Sequence, residues 1–398
     1  MTNAIERNSL APSALRAQKA SKIAPMTSLR FVAALWVVIY HTFPIDESSA
    51  PVLRGLVQYG FVTVGLFMVL SGFLLTMAYQ WFDNPRSIRR FWVARFARIY
   101  PVYLLSLLAD LPRLLSWRVA KYGFVSAAAA TFATFGFQST LLQTWLPLTV
   151  LQGLNSPSWT VSTEAFFYIA FPFLVGPISA IRSPSGLLGV MAGAWIVTIF
   201  TSALICAVLV SPPINMEMAI QQHPILRLPE FVAGIALANF HRARRSSERE
   251  CRRNANIGLM VSLAVFVPLA LYAYEACYLA LHNGLLIPVY CCFILSVALC
   301  GGGLRTFLCF PAFVSLGEAS YAIYLAHAPL RAALQAGGLD ETIFGWVVYI
   351  AMLIGVSVLV YRYVERPLRA RIMKIYDNWA KSVDEDAHGR AFVRKVVE

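Results

Sequence analysis

Apolar residues run along this chain in stretches long enough to cross a lipid bilayer, and short polar segments rich in arginine separate them. A hydrocarbon core about 30 Å thick is spanned by about 20 residues of α-helix. Ten such stretches are predicted: 27–44, 57–82, 97–115, 160–181, 186–211, 227–240, 256–275, 284–301, 312–331 and 342–364. The sixth is short and is expected to begin earlier, near His223-Pro224. The pattern predicts an all-α polytopic membrane protein of about ten transmembrane helices. Residues 1–25 are expected to form a leader, 26–370 a membrane-embedded domain and 371–398 a polar tail. The leader carries Arg7, Arg16, Lys19 and Lys22 and lacks an apolar segment followed by a small-residue cleavage site. It therefore reads as cytoplasmic rather than as a signal peptide.

Charge sets the expected orientation. With the N-terminus inside and each segment crossing once, 27 of the 33 Lys and Arg residues fall on the inner side, and the C-terminus is cytoplasmic as well. That asymmetry is what the positive-inside rule demands. Residues 122–146 are apolar enough to suggest a further span. Counting them inverts everything downstream and puts Arg242, Arg244, Arg245, Arg249, Arg252 and Arg253 outside. They are therefore expected to form short re-entrant or interfacial helices, which at membrane depth must be covered by protein or line a wet cavity.

Composition sharpens the class. Apolar residues make up 58% of the 398 and charged residues 13%, more apolar surface than a soluble chain of this length keeps from water. The net charge of +13 is spent in loops between apolar runs, the signature of membrane topology rather than of a nucleic-acid-binding stripe. Localisation in a cell (inner) membrane follows. The seven cysteines show no C-x-x-C spacing, so neither a metal site nor a disulfide framework is indicated.

An ionisable residue inside a span is costly and marks a functional site by default. His41 closes the first span, with Asp46 in the loop after it. Glu164 lies one turn into the fourth span, sharing a face with Tyr168 at i, i+4, while Ser162 faces another side. Arg227 and Glu230 open the sixth span, and His327 lies in the outer half of the ninth. In the expected topology these residues collect near the outer face, which points to proton chemistry on an extracytoplasmic substrate. The alternatives are a helix-end histidine at the headgroups, a capped helix end at His327, and mutual neutralisation of Arg227 by Glu230. On the inner side Arg86, Arg89, Arg90, Arg95 and Arg98 crowd one segment. Arg95 and Arg98 stand i, i+3, so two guanidinium forks can grip one phosphate-bearing ligand, with lipid headgroups as the competing partner.

Several segments together resemble the integral-membrane acyltransferase-3 family. They are Leu29-Arg30 through His41; Gly65 through Leu74; Arg95-Phe96-Ala97-Arg98-Ile99-Tyr100-Pro101; Trp159-Thr160-Val161-Ser162-Thr163-Glu164; Arg227-Leu228-Pro229-Glu230; Gly317 through His327; and Val364-Glu365-Arg366-Pro367. They occur in order between residues 26 and 370. The resemblance implies transfer of an acyl group, usually acetyl from acetyl-CoA, to a hydroxyl on a sugar, with His41 essential and Arg95 and Arg98 as the paired inner arginines. The expected acceptors are extracytoplasmic or membrane-associated glycans or lipid-linked sugars, with macrolides among the family's other acceptors. Thr160 stands where the family often has Ser, and the extracytoplasmic hydrolase-like domain fused to some members is not expected here.

These readings combine into a transmembrane relay. Acetyl-CoA is a substrate rather than a bound cofactor, and its anionic nucleotide is expected at Arg95 and Arg98, with Arg90 beside them. The pantetheine arm then threads towards His41, which acts as general base or carries the acetyl group itself, oriented by Glu164 or Asp46. Trp159, Ser162, Tyr168, Arg227, Glu230 and His327 are the expected acceptor-binding residues, and no metal is expected. Two other classes compete: a transporter of polysaccharide or lipid-linked sugar, for which no internal repeat is visible, and a sensor or assembly component that binds acyl-CoA or glycan without turnover.

Overall fold

A computed structural model describes residues 12–46, 48–146, 153–208, 220–244, 247–272, 281–339 and 342–397, which form helices and no strand. The first helix, α1 (Pro12–Thr42), starts well before the predicted span. Alanine, leucine, lysine and arginine before residue 26 favour helix, and only Pro25 interrupts it. Chain order continues with α2 (Pro51–Gln58), a 3₁₀ turn (Tyr59–Val62), α3 (Thr63–Ala78), α4 (Pro85–Tyr122) and α5 (Phe124–Ser139). After a 3₁₀ turn (Ser156–Ser158) come α6 (Trp159–Ala180), α7 (Pro184–Val208), α8 (Pro224–Ala243) and α9 (Glu248–Tyr272). The last group is α10 (Ile287–Leu299), α11 (Gly302–Leu308), α12 (Pro311–Glu318), α13 (Ser320–Ala336), α14 (Ile343–Val360), a π turn (Tyr361–Glu365) and α15 (Arg366–Val397).

Local sequence sets these boundaries. Proline opens α2, α4, α7, α8 and α12, the one helical position where its missing N–H costs nothing. Asn84 and Ser87 cap α4 reciprocally. Gly123, with φ of 78°, separates α4 from α5, a left-handed residue that a side chain would strain.

Among the described residues, six helices are long and apolar enough to cross a membrane: Ala24–Thr42, Pro51–Ala78, Pro85–Tyr122, Ser156–Ala180, Pro184–Ile205 and Ile343–Val383. The pair α10 and α11 makes a seventh if taken as one span bent by 94°. The other three predicted spans coincide with helices α8, α9 and α12–α13, the last broken between Glu318 and Ser320. Residues 209–211 and 273–275, predicted to end two spans, lie outside the described residues. The ambiguous apolar stretch is α5, whose 16 residues rise about 24 Å. It folds back on α4, where Tyr100 and Tyr103 donate to the carbonyls of Ser139 and Gln138 at 3.1 and 2.6 Å.

The centre of the bundle is α3, packed on α8 with backbone against backbone. A methyl on Gly72 meets the Phe231 carbonyl and one on Gly234 meets the Val69 carbonyl. Lipid tails are as apolar as leucine, so close packing rather than hydrophobic transfer decides which helices associate. Phe173, Ile196, Phe200, Met260 and Leu359 remain exposed on the outside, as a lipid-facing surface requires. Helices α1, α4, α6 and α13 surround the interior that holds the polar residues.

Candidate functional site

Two cavities lie in tandem along the same helices. The first, of about 130 Å³, is lined by Arg30 of α1, Arg95 and Arg98 of α4, Glu164 and Tyr168 of α6, and Tyr321 and Tyr324 of α13, with an apolar wall from α3. Among the described residues no carboxylate stands within ion-pair distance of Arg30, Arg95 or Arg98. Glu164 and Glu365 act on Arg30 and Arg98 only through the field. Arg95 lies over the rings of Tyr79, Phe91 and Tyr168 at 5.7 to 5.9 Å, and its Nε is buried without a hydrogen-bond partner. Three half-buried guanidinium groups thus face one cavity, where their positive charges add.

The second cavity, of about 600 Å³, is lined by His41 of α1, Asp110 and Arg113 of α4, the Gly153–Pro157 turn, and His327 and Arg331 of α13. Eleven residues of α1 separate Arg30 from His41, about 16 Å of rise. His41 is exposed to this space and its Nδ1 meets the Val37 carbonyl at 2.9 Å. A carbonyl only accepts, so Nδ1 carries the proton and Nε2 keeps its lone pair. His327 repeats the pattern: its Nδ1 donates to the Tyr324 carbonyl at 2.5 Å, and its buried Nε2 has no partner. The two rings stand 5.1 Å apart. Arg331 donates to the His41 carbonyl at 2.5 Å, tying α13 to the end of α1.

The structure thus brings His41 to His327, and Arg95 and Arg98 to Glu164 and Tyr168, but it separates other residues that the sequence placed together. Glu164 belongs to the arginine cavity, where the Tyr168 hydroxyl donates to it, and it does not orient His41. The Gly153–Pro157 turn lines the cavity of His41, and α6, which follows it, carries Glu164 into the arginine cavity. Asp46 does not orient His41 either. Its carboxylate accepts from Ser48 and Ser49 at 2.7 and 3.0 Å in an exposed turn, and those hydroxyls hold it below the usual carboxylate range.

Arg90 sits outside the arginine cavity, paired through two nitrogens with Asp377 of α15 at 3.1 and 3.2 Å. Ser162 is buried and bonded to Thr144 and the Leu141 carbonyl at 2.6 and 2.5 Å, so it fastens a loop. Arg227 and Glu230 are 0% and 1% exposed and pair at 3.2 Å. Arg227 also donates to the His282 carbonyl and lies 5.5 Å over the Trp159 ring. In this structure Arg227 and Glu230 face protein and line neither cavity, and Trp159 stacks near His282, 6.0 Å between rings.

Several lining residues were not singled out from sequence: Arg30, Asp110, Arg113, Asn155, Tyr321, Tyr324 and Arg331. Arg30 was read as an inner-side charge and as part of the first segment of the family resemblance, with no site role. Asn155 did carry a signal. It stands before Ser156-Pro157 and adopts φ of 44°, the left-handed conformation that asparagine tolerates best among residues other than glycine. It is fixed from both sides, its N–H donating to Asp110 at 2.7 Å and its Nδ2 to the Leu325 carbonyl at 2.9 Å.

The helical body thus carries a cationic cavity and, beyond it, a histidine pair. The chain belongs to the acyltransferase-3 family, whose acyltransferase domain matches residues 26–362. Among relatives, it is 29% identical over 325 residues to the acyltransferase MdmB of Streptomyces mycarofaciens, covering 77% of this chain and 78% of that one. It is 25% identical over 370 residues to the peptidoglycan O-acetyltransferase OatA of Listeria monocytogenes, covering 86% of this chain and 55% of that protein. A putative peptidoglycan O-acetyltransferase of Bacillus subtilis, YrhL, is 25% identical over 367 residues, with 87% and 55% covered. The chain therefore spans about half the length of these two relatives. No solved structure matches it.

Proposed function

We propose that this protein moves an acetyl group from cytoplasmic acetyl-CoA to a hydroxyl of an extracytoplasmic or membrane-associated glycan. The observation that carries this reading is the tandem arrangement: an arginine cavity without ion-pair partners among the described residues, and a histidine cavity that shares α1, α4 and α13 with it. Arg30, Arg95 and Arg98 hold the anionic nucleotide portion of the donor, and the uncharged pantetheine arm points along α13 towards His41. Nε2 of His41 takes the proton of the acceptor hydroxyl. The oxygen bonds to the acyl carbon, the carbon–sulfur bond breaks, and the proton returns to the departing thiolate. Two relatives named for O-acetylation of a glycan support the acceptor class.

The donor end is tested by Arg98→Lys. Lysine keeps the charge and loses the planar fork, so binding of acetyl-CoA to the purified protein should weaken about tenfold or more, with acceptor KM unchanged. Equal affinity for acetyl-CoA in wild type and Arg98→Lys contradicts the assignment.

The proposal includes the sidedness read from charge: ten spans with both termini in the cytoplasm. In a cysteine-free background, an impermeant maleimide added outside intact cells should label Gly337→Cys beside the histidine cavity and leave Ser247→Cys unlabelled. Labelling of Ser247→Cys from outside overturns this topology, because it moves the arginine-rich 241–253 loop across the bilayer.

A further inference from the structure

The two cavities share α1, α4 and α13 as lining helices but no lining residue. One contact divides them. The hydroxyl of Tyr324 donates to the Pro157 carbonyl at 3.2 Å, and Thr160 Oγ1 donates to the same oxygen at 3.1 Å. Tyr324 and Thr160 line the arginine cavity, and Pro157 lines the histidine cavity. The Tyr324 ring packs between Phe67 at 6.3 Å and His327 at 5.8 Å. Behind Pro157 the turn is fixed, because Asn155 bonds to Asp110 and to the carbonyl of Leu325, the residue after Tyr324. The backbone on both sides of the division is therefore pinned. What remains to move is one aromatic side chain held across the gap by its hydroxyl.

We infer that Tyr324 is the specificity-determining partition between the donor and acceptor cavities. An apolar, uncharged arm entering from the arginine side displaces the ring from Pro157 and brings its thioester to His41, whereas water and small ions do not open the way. The partition keeps a reactive thioester from hydrolysis until the arm itself makes the opening. The inference rests on the proposed donor route, but its test does not depend on catalysis.

Ser71 lines the arginine cavity and Gln335 the histidine cavity. In a cysteine-free background, each is replaced by cysteine and exposed to a small anionic methanethiosulfonate from the His41 side of sealed vesicles. Cys at 335 should label at the same rate whatever stands at 324. Ser71→Cys should label slowly with Tyr324 present and about tenfold or more faster with Tyr324→Ala. Tyr324→Phe, which keeps the ring and loses only the hydroxyl, should give an intermediate rate if the hydroxyl holds the door. Labelling of Ser71→Cys that is independent of the residue at 324, whether fast or slow, overturns the inference. If Tyr324→Ala does not fold, the comparison of Tyr324→Phe with wild type decides alone. Transfer assays add a second readout: Tyr324→Ala should raise acceptor-free hydrolysis of acetyl-CoA relative to transfer. A wild-type protein without acyl transfer, together with the expected labelling pattern, sinks the proposed function and leaves the partition standing.

Discussion

His41→Gln is expected to abolish acyl transfer while leaving the protein in the membrane at wild-type amount. The imidazole faces an open cavity and contacts the backbone only through Val37 of its own helix, so shortening or replacing it opens no void in the packed interior. What disappears is the lone pair on Nε2. General bases contribute about 10² to 10⁴ in rate, and glutamine, which carries an amide where the ring stood, supplies no base. Acetyl transfer to acceptor measured in membranes should fall by at least about a hundredfold, with acetyl-CoA affinity unchanged because Arg30, Arg95 and Arg98 line a different cavity from His41. Residual transfer above about a tenth of wild type, a contribution below about 1.4 kcal/mol, shows that His41 is not the base.

How much of this could be read from residues alone depended on whether the signal was local. Apolar run length is local, and helix fills most of each predicted segment where the structure describes it. The stretch at 122–146 contains α5, which packs back on α4. The cavity that Glu164 joins was not readable. Glu164 is one turn into its helix, and the sequence groups it with His41. In the structure the Gly153–Pro157 turn lines the cavity of His41 before α6 starts, and Glu164 lines the other. That turn is held by Asp110, Gln138 and Leu325, all distant in sequence.

The same limit explains Arg227 and Glu230. Their i, i+3 spacing announces an ion pair, but only the fold shows that His282 and Trp159 close over it and convert a helix mouth into packed interior. Arg30 was missed for the opposite reason. A topological explanation for an inner-side arginine was sufficient, and nothing near it in sequence shows that α4 brings two more guanidinium groups to the same cavity. The pairing of His41 with His327 lay between these cases. Span order put both near one face, while the 5.1 Å between their rings follows from packing of α13 on α1.

That pairing leads to a discriminating substitution, His327→Asn. The asparagine amide nitrogen can take the place of Nδ1 and keep the hydrogen bond to the Tyr324 carbonyl, while nothing replaces Nε2. The Tyr349 hydroxyl bonds to the His327 backbone carbonyl at 2.9 Å and is untouched by the change. The fold and both substrate sites should therefore survive. We propose that the buried, unpartnered Nε2 stabilises the charged His41 ring while it holds the acceptor's proton, which makes His327 a positioning residue. On that reading kcat falls by about a hundredfold, with the KM values for acetyl-CoA and acceptor unchanged. In His327→Ala, added imidazole enters the cavity and restores part of the rate in proportion to its neutral form. A wild-type kcat for His327→Asn shows that only the Nδ1 hydrogen bond matters. Loss of activity in both variants without rescue, accompanied by a raised acceptor KM, assigns the ring to acceptor binding instead.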